Sequence, residues 1–129
     1  MPSFRLVSTL TAVIASLLFI VLLFVPEIAF SLFAIEENQS AFFIARRAAM
    51  LFLGIAVVAW VGRDAPHSAS RQALCIGLTV AMLALVVLGT AELIRGFAGV
   101  GILLAVFTEA LLGGLYLRLY LSNRDAQEG

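Results

Sequence analysis

The chain has 129 residues, of which 63% are hydrophobic and 12% charged, and its mean hydropathy is +1.11. That is too short for two domains and too apolar for an ordinary soluble one, so a lipid bilayer is its natural solvent. Net charge is zero and all eight basic residues are arginine, which leaves no basic tail or patch to recruit nucleic acid.

The first element is Leu6 to Val25, a stretch of 20 residues without a charge. A cleaved signal peptide has an apolar core of roughly 7 to 15 residues. The run therefore predicts a retained membrane helix, with cleavage near the small residues around Ser31 and Ala34 as the alternative. Pro26 closes it. Residues 27–35 follow, where Ile28, Phe30, Leu32, Phe33 and Ile35 sit among few polar residues before Glu36 and Glu37. This predicts a segment lying in the interface as a short helix or re-entrant turn. Asn38-Gln39-Ser40 spells a glycosylation acceptor, a short motif that chance supplies readily so close to a membrane.

Three more runs are long enough to cross a hydrocarbon core of roughly 30 Å: Ala41 to Val61, Ala73 to Ala91 and Val100 to Leu121. Ser40 can cap the second helix, and Ser68 or Ser70 the third, after Pro66. Gly96 and Gly99 separate the third from the fourth. Backbone groups in lipid must be satisfied within a segment, and no alternating pattern suggests a barrel. The expected fold is all-α: one integral-membrane domain, residues 1–129, forming a four-helix bundle with short loops.

Arginines orient it. Arg5, Arg63, Arg71, Arg118 and Arg124 fall on the side holding both termini, while Glu27, Glu36, Glu37 and Glu92 gather on the other. The termini are expected in the cytoplasm. Arg95 opposes this, and Arg46 and Arg47 are ambiguous.

Polar residues at membrane depth are where a function would reside. Glu109, near the middle of the fourth helix, is the costliest: a carboxylate there must face the interior, hold a proton or find a cation. Steps of three or four residues along its face reach Gly101, Ala105, Thr108, Gly113, Tyr116 and Tyr120, a small-residue face suited to close packing. Arg46 and Arg47 lie about one and a half turns inside the second helix. At a rise of roughly 1.5 Å per residue, Arg47 is about 9 Å deep and Glu109 about 13 Å. Side chains can span that difference, so an ion pair of Glu109 with Arg46 or Arg47 is expected. It would fix helix register, or line a cavity together with Thr108 and Tyr116 to receive a polar head group, an ion or a proton.

Small-residue stripes at Ser8, Ala12, Ala15 and Ser16, and at Ala73, Gly77, Ala81 and Ala84, predict helix contacts. Trp60, Tyr116 and Tyr120 predict an aromatic belt at the inner interface. Cys75, Met50 and Met82 have arbitrary spacing and read as filler rather than a soft-metal site. A lone cysteine cannot form an internal disulfide, and a lone histidine, His67 in a solvated turn, cannot build a metal site from this chain. No metalloprotease helix, paired-cysteine motif, phosphate-binding loop or serine elbow is present, so neither enzymatic chemistry nor a cofactor is expected.

The stretch FIARRAAMLFLGIAVVAWVGRDAPHSASRQALCIGL, Phe43 to Leu78, resembles small uncharacterised four-helix proteins of bacterial inner membranes. In these an arginine- and glycine-bearing helix ends in tryptophan, an Arg-Asp turn and a Ser-rich cap. The broader shape is similar to DoxX-like proteins. The resemblance implies four helices and a bacterial inner-membrane location, and carries no activity. The leading functional expectation is an accessory or scaffold subunit, in contact with the bilayer and with copies of itself or a larger membrane complex. A binder of an amphipathic molecule such as a quinone or lipid is the alternative. A minimal proton-coupled transporter fits less well, because small multidrug carriers hold their acid in the first helix, which here has no charge.

Overall fold

The computed structural model describes residues 2–128, which form five helices: α1 Phe4–Phe24, α2 Pro26–Phe33, α3 Gln39–Gly62, α4 Ala69–Ile94 and α5 Ile102–Glu128. α1, α3, α4 and the Ile102–Arg124 part of α5 are each long and apolar enough to cross a membrane. The expected four-helix membrane bundle is therefore present. The segment expected at the interface folds as α2, a two-turn helix.

Helix ends explain where the observed spans exceed the apolar runs. Ser3 caps α1 by accepting a bond from the Leu6 amide, and Ser68, rather than Ser70, caps α4 through the Arg71 amide. Asn38 replaces Ser40 as the cap of α3, its Oδ1 accepting from the Ala41 amide at 2.9 Å. Pro26 both ends α1 and starts α2, where its missing N–H costs nothing. α4 closes on Gly96 (φ 79°), with amides 96 and 97 bonding the carbonyls of Leu93 and Glu92. α2 closes in the same way on Ala34, a non-glycine residue at φ 54°.

The long helices pack as two intimate pairs, α1 with α3 and α4 with α5, and the pairs meet through α1 and α5. Alanines mark the first pair: Ala45, Ala49, Ala56 and Ala59 form the buried face of α3, and Ala12 and Ala15 are buried on α1. Lipid tails are as apolar as leucine, so close backbone approach and dispersion hold such a pair, not burial from water. In the second pair Gly113 lies against Met82 and Leu83, where an added Cβ would sit 3.1 Å from both side chains.

One end of the bundle gathers the start of α1, the end of α5 and the α3–α4 turn. There Phe4, Val7, Cys75, Leu78, Met82, Leu112, Tyr116 and Leu119 form a packed core. The Arg71 guanidinium covers the Phe4 ring at 4.2 Å, and Gln72 donates to the Tyr120 carbonyl at 3.2 Å. Asp64 pairs with Arg5 at 3.2 Å and Arg63 at 3.7 Å. Because Arg5 and Asp64 side chains are 69% and 55% exposed, solvent screens the pair, and Asp64→Asn is expected to change stability by less than about 1 kcal/mol. Thermal unfolding with the thiol of the fully buried Cys75 as reporter checks this.

The other end is closed by α2, which lies across the bundle. The Gly99 amide donates to the Phe33 carbonyl at 2.7 Å. Gly101 comes so close to α2 that an added Cβ would sit 1.8 Å from the Leu32 carbonyl oxygen.

Two expected contacts are corrected. On α4, Ala73, Gly77 and Ala84 are exposed and Ala81 only half-buried, because the buried face carries Cys75, Leu78, Thr79, Met82 and Gly89 instead. Tyr116 is not part of a belt: it is fully buried in the core. Trp60 remains half-exposed at the terminal end, with the Arg63 guanidinium 3.7 Å above its ring.

Candidate functional site

Between the two helix pairs, in the half of the bundle nearer α2, lies a cavity of about 370 Å³ to which all five helices contribute. The core at the terminal end forms its floor through Met82 and Leu112, and α2 its roof through Ile28, Ala29 and Leu32. Apolar side chains supply nearly all of the wall. The polar exceptions are Thr11 of α1 and the adjacent Thr108 and Glu109 of α5. Ala105, Thr108, Glu109 and Leu112 fall on one stripe of α5 because steps of three and four residues return to the same helix face. Half of the expected site, Glu109 with Thr108, thus lines a cavity between the helix pairs.

The other half lies elsewhere. Arg46 and Arg47 are exposed on α3, and among the described residues no ion pair joins either of them to Glu109. Helical phase explains this. α3 turns Ala45, Ala49, Ala56 and Ala59 toward α1, and at about 100° per residue Arg46 and Arg47 point about 100° and 200° away from Ala45. α3 also pairs with α1, not with α5. Similar depth was therefore not proximity. The Arg47 guanidinium instead lies 5.8 Å from the Phe43 ring on its own helix.

Tyr116 lies two turns below Glu109, beneath the cavity. Its hydroxyl donates to Thr11 Oγ1 at 3.0 Å and lies 3.3 Å from Ser8 Oγ, linking α5 to α1. These are the polar contacts between the two helix pairs at that level, and their loss in Tyr116→Phe is expected to cost about 1 kcal/mol. A lower midpoint of Cys75 exposure on heating is the measurement. Thr11 was the residue sequence reasoning missed. It shares a helix face with Ser8, Ala12 and Ala15, and a hydroxyl on that small-residue stripe was the available signal.

The chemistry offered to an occupant follows from a count of protons. The Thr108 hydroxyl donates to the Leu104 carbonyl at 2.9 Å, and the Thr11 hydroxyl donates to the Val7 carbonyl at 2.9 Å. Each hydroxyl has one proton to give, so both present only lone pairs to the cavity. Among the described residues no arginine or histidine lines it. Leu17, Ile28, Leu32 and Leu104 belong to the wall and are also exposed at the surface, so the cavity communicates sideways with the membrane. Among the described residues, no three His, Cys, Asp or Glu side chains gather in a metal-binding group.

Compared with protein-family models, curated proteins and solved structures, the chain matches none.

Proposed function

We propose that this multi-pass membrane protein binds an amphipathic small molecule, its apolar body in the cavity between the helix pairs and its polar head at Glu109 and Thr108. The observation that carries the reading is the cavity: about 370 Å³, apolar walls and one carboxylate. That is the usual composition of a small-molecule site, a mostly apolar concavity of roughly 300–1,000 Å³ with few polar groups. A lateral opening suits a ligand that arrives dissolved in the bilayer. The role proposed is binding: the wall offers one carboxylate and two threonine hydroxyls whose protons are held by backbone carbonyls. We place the protein in a bacterial inner membrane, as its resemblance to small four-helix proteins of such membranes implies, with both termini in the cytoplasm on the strength of the five arginines at that end.

Native mass spectrometry of the protein released from its own membrane tests the reading. The wild-type chain is expected to carry an amphiphile, and Ala105→Phe, which fills the cavity, to emerge without it while Cys75 stays protected. Equal occupancy in both proteins contradicts it.

A second reading, association with another copy or with a larger membrane complex, is favoured by one observation. Ala73 and Gly77 are exposed on α4, with open space around Gly77, a small-xxx-small spacing of the kind that lets membrane helices approach closely. Disulfide cross-linking of a Gly77→Cys variant tests it. Dimers at low protein-to-lipid ratio support the second reading, and monomers alone oppose it.

A further inference from the structure

The proton inventory of the cavity restricts the head group. Among the described residues Glu109 carries the only acid in the wall, Thr108 and Thr11 have given their protons to backbone carbonyls, and no cationic side chain faces the space. With Glu109 ionised, the side chains offer acceptors and no balancing donor. A carboxylate, phosphate or sulfate head would bring a second negative charge beside Glu109 in a medium of low dielectric, where like charges repel strongly. An ammonium head does the reverse. It supplies the counter-charge that Arg46 and Arg47, exposed on α3, do not supply, and its N–H groups match the available lone pairs.

We infer that the ligand is a cationic amphiphile, an aliphatic or aromatic body bearing a protonated amine that pairs with Glu109. This rests on the cavity being a binding site. It goes further in excluding fatty acids and phosphate-bearing lipids from the cavity, and it ranks neutral heads such as alcohols and quinols below amines.

Three probes of equal chain length separate the possibilities: dodecylamine, dodecanol and dodecanoate, titrated into the protein in nanodiscs of zwitterionic lipid and read as bound fraction by native mass spectrometry. Partition into the lipid is common to wild-type and variant proteins, so their difference reports the site. Dodecylamine is expected to bind at least about tenfold more tightly than dodecanol, as one charge-assisted hydrogen bond implies, and dodecanoate to remain unbound. Glu109→Gln is expected to lower dodecylamine to the level of dodecanol while Cys75 stays protected. Dodecanol or dodecanoate binding as tightly as the amine, or an amine affinity unchanged by Glu109→Gln, overturns the cationic ligand. If Ala105→Phe still abolishes the binding in that case, the cavity stands as a site. If the wild-type protein retains none of the three, both the head-group inference and the small-molecule reading fail.

Discussion

Glu109→Leu is expected to make the empty protein more stable, by about 2 kcal/mol. Its cavity is walled by apolar side chains, and among the described residues no ion pair joins it to Arg46 or Arg47. An acid at the centre of a membrane helix costs several kcal/mol relative to leucine, and here no protein cation offsets that cost. Leucine has a similar volume and removes the penalty without opening a void. An acid that served to lock helices together would behave in the opposite way, because cutting one partner out of a buried pair strands the other and destabilises by about 3–5 kcal/mol. Raised thermal resistance of Cys75 in Glu109→Leu therefore supports an acid kept for a ligand, and lowered resistance supports a structural lock. A double-mutant cycle with Arg47→Leu sharpens the comparison: the side chains occupy different helix faces, so the two effects are expected to add within about 0.5 kcal/mol.

Gly101→Ala is expected to be among the most damaging single methyl additions in the chain. The Cβ would stand 1.8 Å from the Leu32 carbonyl oxygen and 2.9 Å from its carbon. Backbone atoms cannot rotate aside as a side-chain tip can, so α2 or the start of α5 must move. Moving α2 breaks the Gly99 to Phe33 hydrogen bond and lifts Ile28, Ala29 and Leu32 from the cavity roof. The expected cost is about 3 kcal/mol, in the range of overpacked cores, together with weaker retention of any bound amphiphile. Gly77→Ala is the matched control. That position has open space around it on the exposed face of α4, and alanine there gains up to about 1 kcal/mol of helix propensity. Measuring both by Cys75 protection separates a specific collision from a general intolerance of glycine replacement.

The membrane bundle was legible because its signal is one-dimensional. Charge-free runs of about 20 residues declare spans, and Pro26, Ser68 and Gly96 declare their ends. Even α2 was visible as an apolar segment too short to cross. The lateral order of the helices was not legible in hydropathy, because lipid-facing and helix-facing positions are both apolar. Depth therefore suggested an Arg46 or Arg47 partner for Glu109, when α3 packs on α1. The spacing of Ala45, Ala49, Ala56 and Ala59 held the missing information, since an alanine face excludes arginines from the same contact. The α4 stripe shows the converse: Ala73, Gly77 and Ala84 looked like a packing face, yet Cys75, Leu78 and Met82 fill the intramolecular one. Glu109 with Thr108 was found because an acid at mid-membrane depth is costly wherever its neighbours lie. The cavity beside them required three dimensions, because it is a gap between helix pairs and its roof comes from a separate element.

The most direct test is a density map of the protein in nanodiscs prepared from its own membrane, at a resolution that shows side chains. An elongated density is expected between the α1/α3 and α4/α5 pairs, its polar end within hydrogen-bond distance of Glu109 and its body against Leu112, Met82 and Ile28. A map in which the helix pairs close over the cavity and Glu109 reaches Arg46 or Arg47 would contradict it.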